Sequence, residues 1–347
     1  MTARPAISVE GLWQVFGDGA ASAYQRARDG GGDAAQIAAR LADQGLIPAV
    51  RDATFDVAPG ELFVIMGLSG SGKSTLIRGI SRLVEPTAGK VAIEGEDILA
   101  ASRARMTELR RSRIGMVFQH FGLFPHLSVI DNVAFPLRVG GMGRKARHDK
   151  VRPIIEMVGL KGRETAYPRE LSGGQRQRVG IARSLAGDCS VWFLDEPFSA
   201  LDPLIRRQLQ DEFLDIRKRL NTTIVFITHD ITEALKLADR IAIMRDGAIV
   251  QIGTPAEIVL QPVDAYVREF SRDVARGRHA KVASVMRPAG DEIGPDDPGL
   301  RPGMTLEDAL GACMSLYQPV PVRDADGTLL GAVHPQDLAA ALQVEKT

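Results

Sequence analysis

The stretch that decides the fold is Glu61-Leu62-Phe63-Val64-Ile65-Met66-Gly67-Leu68-Ser69-Gly70-Ser71-Gly72-Lys73-Ser74. Its first part, Glu61 to Met66, is an apolar run that is typical of a fully buried strand. Its second part, Gly67 to Ser74, fits the pattern GxxxxGK[S/T], and a helical pattern follows from Lys73 to Leu83. A glycine-rich loop between a strand and a helix predicts a cradle for a nucleoside triphosphate.

The chemistry of this loop follows from its residue types. Glycines let backbone N–H groups point at phosphate oxygens, and the N-terminus of the following helix adds positive potential. Lys73 is placed to reach the β- and γ-phosphates, and Ser74 is placed to bind Mg²⁺. A flexible Gly/Ser turn without function is the alternative, but it leaves the agreement of both flanks unexplained. The residues expected to contact the nucleotide are Gly67, Leu68, Ser69, Gly70, Ser71, Gly72, Lys73, Ser74 and Thr75.

A second apolar strand, Val191 to Leu194, ends in two carboxylates. Asp195 then lies at the edge of the sheet where Mg²⁺ would bind, and Glu196 is placed to act on the attacking water. The alternative for Glu196 is a cap on the turn before Pro197. Downstream of a phosphate-binding loop, the catalytic interpretation is the more economical one.

The string Leu171 to Gln175 precedes the basic helix Arg176 to Arg183. Ser172 is a candidate N-cap, and Gly173 and Gly174 leave backbone donors open to a phosphate. One nucleotide does not need two cradles in one subunit. We therefore expect this second cradle to serve the nucleotide of another copy, in a homodimer with two shared sites; in isolation the string would be an ordinary loop before a helix.

Alternating apolar strands and helical stretches predict an α/β core with a mainly parallel sheet. Helical patterning without strands predicts an inserted helical subdomain at about residues 120–186. An Ala-rich stretch interrupted by glycines predicts a helical insertion at about residues 20–45. The turn Asp246-Gly247 predicts a β-hairpin that closes a domain of residues 1–272, and residues 278–347 are predicted to form a small separate unit.

Composition places the chain among soluble globular proteins. It has 347 residues, with 43 basic residues balanced by 43 acidic ones, so bulk charge predicts no nucleic-acid partner. Its two cysteines form no CxxC pair, which fits a reducing cytosol. The N-terminus does not resemble a secretory signal, and no apolar run approaches the roughly 20 residues that span a bilayer. Any attachment to a membrane is expected to come through a partner.

In their order along the chain, these motifs resemble those of the ABC ATPases, over roughly Ile7 to Ser271. The resemblance implies a P-loop (RecA-like) core with an inserted helical subdomain and an antiparallel β subdomain. It identifies Gly67 to Ser74 with the Walker A loop, Leu171 to Gln175 with the signature, and Asp195 with Glu196 as the Walker B pair. It implies ATP and Mg²⁺ as cofactors.

The same resemblance assigns further roles. Gln119 would help to bind Mg²⁺ and water and report to the membrane subunit, Asp202 would lie on the dimer loop, and His229 would contact the γ-phosphate. His229 follows the predicted strand Thr223 to Thr228, and the alternative to a role in phosphate binding is that it is a structural cap at the end of that strand. An aromatic residue would stack on adenine; Phe16 is the first candidate and Trp13 the second, and either could be ordinary core.

A closer resemblance is to the ATPase subunits of glycine betaine/proline and other quaternary-amine importers. It rests on the insertion after Val15-Phe16-Gly17, on the string Val64 to Gly72, and on Phe198 to Arg206. It implies integral-membrane permease subunits, indirectly a solute-binding protein, and a place on the cytoplasmic face of the cell membrane. The segment from His120 to His126 is predicted to receive the permease, unless its apolar residues are core. Other small-solute importers, a soluble ABC ATPase outside transport, and a P-loop kinase are the alternatives.

The C-terminal unit resembles a CBS module. The string Arg301 to Leu306 precedes a predicted helix. Two strands are predicted after it, at Val320 to Arg323 and Leu329 to Val333 around the turn Asp326-Gly327, and a second helix is predicted from Pro335. Residues 278–347 suffice for about one repeat, whereas CBS motifs normally work in pairs. The alternatives for this unit are that it pairs across the dimer, binds nothing, or serves only as packing, beside the interpretation that it senses a regulatory ligand.

Overall fold

The computed structural model describes residues 4–117, 122–187, 189–199, 201–219, 222–271, 281–289, 299–309 and 318–342. The chain divides into two compact units, one containing Met1–His229 and Met244–Ile249, the other Asp230–Ile243 and Val250–Thr347. Within the described ranges, no helix combines the length and the apolar character needed to cross a bilayer.

The first unit contains most of the strands and helices. Its strands are β1 (Ile7–Phe16), β2 (Ile47–Val57), β3 (Leu62–Gly67), β4 (Ala88–Ile93), β5 (Glu96–Asp97), β6 (Ile114–Val117), β7 (Val191–Asp195) and β8 (Thr223–Thr228). Its helices are α1 (Ala20–Asp29), α2 (Ala34–Ala42), α3 (Lys73–Ile80), α4 (Arg103–Ser112), α5 (Val129–Val133), α6 (Phe135–Val139), α7 (Arg144–Met157), α8 (Gly173–Leu185) and α9 (Pro203–Arg219).

The predicted parallel sheet is confirmed, with the order β3-β8-β7-β6. Met66 is paired with Thr228, and Asp195 with Ile227, so three strands end at the same edge. Every residue of β3, β7 and β8 is buried, which explains why these strands are apolar runs without alternation. This edge is where ligands bind in open parallel sheets.

An antiparallel sheet of order β2-β1-β4-β5 forms the second layer of this unit. The predicted helical insertion is present as α1 and α2, separated by glycines, and α2 begins with a capping box between Asp33 and Gln36. Both helices pack on the sheet through a shared apolar cluster. Its members are Trp13, Val15, Ala23, Tyr24, Ala27, Ile37, Ala38, Leu41 and Leu46. The strands β4 and β5 and the helix α4 were not predicted from the sequence.

The helical subdomain contains α5, α6, α7 and α8, as its patterning predicted. Asn132 is fully buried at its centre, where its amide nitrogen donates to the carbonyl oxygens of Phe124, Leu127 and Ser128. Its amide oxygen accepts a hydrogen bond from Phe124 N at 2.9 Å. This network ties the loop before α5 to the helix, because a buried amide without partners would be costly.

An aspartate in the first turn of α5 is paired with a histidine of α7. Burial raises the pKa of Asp131, but hydrogen bonds with His148 and Ser128 outweigh that effect and hold the pKa below its ordinary value. His148 Nε2 lies 2.9 Å from Asp131 Oδ1. A carboxylate with a lowered pKa contributes stability above its ordinary pKa and loses that contribution as the pH falls through the lowered value.

We therefore expect Asp131→Asn to lower the free energy of unfolding by about 1 kcal/mol at pH 7, the scale of one lost hydrogen bond. The deficit should shrink as the pH falls below the ordinary aspartate pKa. Urea unfolding across a pH series measures it, with the exposed neighbour Asp149→Asn as control. A deficit of the same size at every pH would show that Asp131 contributes through packing and not through its charge.

The remaining elements belong mostly to the second unit, except that Met244–Ile249, the turn between β9 and β10 with the adjoining strand ends, is counted in the first. These elements are α10 (Ile231–Leu237), β9 (Arg240–Arg245), β10 (Ala248–Gly253), α11 (Pro255–Leu260), α12 (Ala265–Ser271), β11 (Val320–Arg323), β12 (Leu329–Val333) and α13 (Pro335–Leu342). The predicted hairpin at Asp246-Gly247 is confirmed. Residues 306–309 are helical, so the predicted order of helix, two strands and helix is also present. A small apolar cluster of its own holds this C-terminal part together. Its assignment as a CBS module stays a prediction.

Candidate functional site

The loop between β3 and α3 is shaped by glycines that no other residue can replace without strain. Gly70 and Gly72 have φ angles of +82° and +98°, in the left-handed region that favours glycine. A Cβ atom on Gly72 would lie 2.2 Å from the carbonyl oxygen of Ala49. The start of β2 therefore forms a wall directly against the phosphate-binding loop.

Lys73 is the cation of this loop, and it is 5% exposed. Its Nζ donates to the carbonyl oxygens of Gly67 and Leu68, at 2.9 Å each. Burial lowers the pKa of Lys73, although the carboxylates of Glu196 and Asp195 act in the opposite direction. The ammonium group is thus held inside the loop, where it is available to anionic oxygens.

Ser74 and Asp195 meet at the edge of the sheet. Ser74 Oγ donates to Asp195 Oδ1 at 3.0 Å, and Arg78 Nη2 lies 3.8 Å from Asp195 Oδ2. Asp195 is 3% exposed, and burial raises its pKa. A hydroxyl and a carboxylate on adjacent elements form an oxygen donor set of the kind that Mg²⁺ prefers. The residues present therefore fit the ion that the sequence predicted.

Ser71 supplies independent support for a polar ligand. Its hydroxyl is buried and has no hydrogen-bond partner among the described residues. A buried hydroxyl without a partner costs free energy. A phosphate oxygen in the loop would remove that cost.

Glu196 and His229 lie side by side in the lining of the cleft. Glu196 Oε2 lies 3.4 Å from His229 Nδ1, and Glu196 N donates to Ile227 O at 3.1 Å. Both side chains line a cleft of about 630 Å³ together with the glycine-rich loop and Ala49. The cap of α10 is Asp230, whose carboxylate accepts from the backbone of Thr232 and Glu233. His229 is therefore not the N-cap of the following helix.

Three predicted nucleotide contacts, Ser172, Gln175 and Asp202, also have local structural roles. Ser172 and Gln175 form a capping box at the start of α8, in which Gln175 N donates to Ser172 Oγ and Ser172 N donates to Gln175 Oε1. Asp202 Oδ1 accepts from Ile205 N at 3.1 Å and so caps α9. Among the described residues, neither Gly173 nor these side chains line the cleft of Lys73. A nucleotide contact by them therefore requires a second copy of the chain.

The two aromatic candidates differ in exposure. Phe16 ends β1 and is 39% exposed, whereas Trp13 is 3% exposed and packs against Tyr24 with ring centroids 5.2 Å apart. Phe16 is thus open to a ligand and Trp13 belongs to the core of the insertion. The predicted ligand Gln119 lies outside the described residues. The contact of Ala49 with the loop was not predicted, because a contact through a backbone carbonyl leaves no signal in residue type. Ser71 was a predicted contact, but the burial of its unpaired hydroxyl was not predicted.

Comparison with known proteins identifies the family. A protein-family profile described as ABC transporter matches residues 50–199. Over 335 residues the chain is 47% identical to the trimethylamine N-oxide transport system ATP-binding protein TmoW of Pelagibacter ubique, a match that covers 96% of each chain. The chain belongs to the ABC transporter ATP-binding family. As an ABC ATPase it is the ATP-binding component of a transport system.

Other ABC ATPases agree with this assignment. The chain is 43% identical over 301 residues to the glycine betaine/proline betaine transport system ATP-binding protein ProV of Escherichia coli, covering 87% of this chain and 74% of that one. A solved ATP-binding cassette, a dimer in a post-hydrolysis state bound to ADP and Pi, is similar with a TM-score of 0.60 and 29% identity, covering 72% of this chain and 98% of that one. The predicted P-loop core of the ABC ATPases is confirmed.

Proposed function

We propose that this ABC ATPase is the ATP-hydrolysing subunit of an importer for quaternary amines of the glycine betaine class, acting at the cytoplasmic face of the cell membrane. The observation that carries the proposal is the convergence of Lys73, Glu196 and His229 on one cleft. A phosphate cradle beside a carboxylate and an imidazole is what hydrolysis of a triphosphate needs.

Different residues of the cleft are assigned different roles in ATP hydrolysis. Ser74 and Asp195 would hold Mg²⁺, which supplies positive charge to the β- and γ-phosphates when it is bound. Glu196 orients the attacking water and accepts its proton, because its carboxylate lies open to the cleft beside His229. Lys73 and His229 stabilise the charge that develops on the γ-phosphate in the transition state. Phe16 supports the adenine.

The cleft of one subunit is incomplete without a second copy. The first N–H groups of α8 have no partner within the helix, and the capping box engages only those of Ser172 and Gln175. Gly173 and Gly174 thus present donors to the γ-phosphate of the partner's nucleotide. Closure of the homodimer assembles both sites, and hydrolysis reopens them.

The solute class is supported by what the relatives transport. Trimethylamine N-oxide and glycine betaine both carry a nitrogen atom with three methyl groups, and the ATPases named for them match most of this chain. We propose that the cargo shares this head group and reaches the permease through a solute-binding protein. A different small solute is the runner-up.

A pocket on the first unit fits the permease. It measures about 260 Å³ and combines apolar side chains with guanidinium groups. Its lining includes Leu83, Met116, Pro136, Arg110, Arg111 and Arg183. Arg183 Nη1 donates to Gly122 O at 2.6 Å, so the pocket adjoins the predicted docking segment, of which His120 and Phe121 lie outside the described residues.

The chemistry of this pocket favours one kind of partner. Three guanidinium groups around an apolar floor fit a short amphipathic segment of the permease that carries a carboxylate. Phe124 packs on Phe135 with ring centroids 4.3 Å apart, so this part of the segment belongs to the helical subdomain. The pocket, and not Phe124, is then the receiving surface.

Transport in vesicles tests the proposal. The chain, its permease and its binding protein should import labelled glycine betaine or trimethylamine N-oxide only when ATP is supplied on the side of the ATPase. Arg111→Glu should lower uptake by about tenfold while the isolated chain still hydrolyses ATP, because a like charge would face the permease carboxylate. Arg103→Glu, on the same helix but outside the pocket, is the control. Hydrolysis without uptake of either amine would remove the cargo assignment and leave the ATPase assignment intact.

A further inference from the structure

An arginine on α9, Arg206, forms hydrogen bonds with the backbone that follows Glu196. We call this set of hydrogen bonds the Arg206 clamp. Arg206 Nε donates to Phe198 O at 3.2 Å. Its Nη2 donates to Leu201 O at 3.1 Å and to Ser199 O at 3.4 Å. A planar guanidinium presents several donors in a fixed fork, so one side chain holds three carbonyls of the same short loop.

The loop needs this restraint because the backbone conformation of Glu196 is strained. The φ angle of Glu196 is +45°, in the left-handed region that residues with a Cβ atom rarely adopt. Glu196 also precedes Pro197, which restricts its backbone further. Backbone of this kind persists only where its surroundings impose it. Ser199 provides the nearest restraint, because its Oγ donates to Glu196 O at 3.0 Å and its backbone N donates to the same oxygen at 3.3 Å.

Ser199 links the two observations. Its carbonyl oxygen accepts from Arg206 while its hydroxyl donates to Glu196, so a continuous set of hydrogen bonds runs from α9 to the candidate catalytic residue. The side chain of Arg206 is partly buried, which strengthens hydrogen bonds from a charged donor. Release of the guanidinium would free the loop to relax Glu196 out of its left-handed conformation.

The position of Arg206 argues against a purely local role. It lies near the N-terminus of α9, where a positive charge opposes the helix dipole. The start of a helix favours acidic residues, so an arginine at this position destabilises the helix unless hydrogen bonds to other groups compensate. The hydrogen bonds of Arg206 to the three loop carbonyls provide that compensation.

The helix that carries Arg206 packs against α8. Arg178 Nη2 donates to Glu212 Oε1 at 2.8 Å and ties α8 to the middle of α9. A Cβ atom on Gly174 would lie 2.9 Å from Ile205, so this glycine of the signature packs directly on the first turns of α9. Arg206 thus projects from a helix that α8 contacts at two positions, Ile205 and Glu212.

We propose that Arg206 is a positioning residue for ATP hydrolysis, which holds the Glu196 carboxylate in the cleft beside His229 through the loop carbonyls. Arg206 itself is not among the residues that line the cleft of Lys73. The inference rests on the proposed catalytic role of Glu196, and it adds a residue that none of the nucleotide-binding motifs contains.

Arg206→Lys tests the clamp in the purified full-length chain. Lysine keeps the charge but, as a single ammonium, does not span three carbonyls. We expect kcat for ATP to fall by about 10- to 100-fold, the range that a small misplacement of a catalytic group produces. KM for ATP and the melting temperature should stay close to wild type. Arg207→Lys, the neighbouring arginine, which bonds Pro203 O on its own helix, is the matched control and should behave as wild type.

A double-mutant cycle with Glu196→Gln separates positioning from general damage. If Arg206 acts through Glu196, adding Arg206→Lys to Glu196→Gln should leave the residual single-turnover rate unchanged. Equal fold-losses in both backgrounds, or a raised KM with a lower melting temperature, would overturn the inference. Normal hydrolysis by Arg206→Lys beside an inactive Glu196→Gln would overturn the inference alone. Normal hydrolysis by Glu196→Gln would overturn the proposed catalytic role of Glu196, and with it the inference, and would transfer the role of base to another group.

Discussion

Glu196→Gln is expected to lower the ATP hydrolysis rate by about 10²- to 10⁴-fold, the range in which a general base contributes to an enzymatic reaction. The amide retains the size and the hydrogen-bonding reach of the carboxylate but cannot accept a proton from water. Binding should persist, because Lys73 and the glycine-rich loop are untouched. With ATP and Mg²⁺ present, the variant should therefore accumulate as a nucleotide-bound dimer.

Two measurements on the same sample check this expectation. Phosphate release reports hydrolysis, and size-exclusion chromatography with and without ATP reports the dimer. Glu85→Gln is a suitable control, because Glu85 is a surface carboxylate paired with Arg82 and does not line the cleft. Hydrolysis at the wild-type rate by Glu196→Gln would transfer the role of base to another group. Loss of hydrolysis without any dimer would mean that Glu196 also acts in assembly.

The parts of the site that could be predicted from sequence are those that local chemistry encodes. Gly72 must be glycine because of its φ angle, and Lys73 and Ser74 follow it in the same turn of chain, so one short string contains the whole phosphate cradle. Asp195 could be placed beside it because parallel strands end at a common edge. Each of these inferences needed only neighbouring residues and one rule of topology.

The parts that sequence could not supply depend on contacts between distant segments. The wall at Ala49 is a backbone carbonyl, and the clamp of Arg206 is directed at backbone carbonyls, so neither leaves a pattern of residue types. The choice between Phe16 and Trp13 needed the packing of the insertion, because both are aromatic residues of one strand. The antiparallel strand β4 was missed because its burial does not alternate regularly.

Gly72→Ala is expected to be the most damaging single-methyl change in the cleft. A non-glycine residue in left-handed backbone costs about 1–2 kcal/mol. The added Cβ would also lie 2.2 Å from Ala49 O, within a contact between two backbones that cannot move aside as a flexible side chain can. Overpacking of this kind costs about 1–3 kcal/mol more. The loop should open, and the rise in melting temperature on addition of ATP should disappear.

Gly70→Ala provides the matched comparison, because it isolates the clash from the strain. Gly70 is also left-handed, at φ +82°, but a Cβ atom there would meet nothing within 4 Å. Thermal unfolding of the two nucleotide-free variants should then show about 1–2 kcal/mol lost in Gly70→Ala, from backbone strain alone, and a clearly larger loss in Gly72→Ala. Equal losses would mean that β2 yields to the added methyl group, and that the wall at Ala49 does not define the shape of the phosphate cradle. A larger loss confined to Gly72→Ala would establish that the cradle is held by a strand from the antiparallel sheet as well as by its own loop.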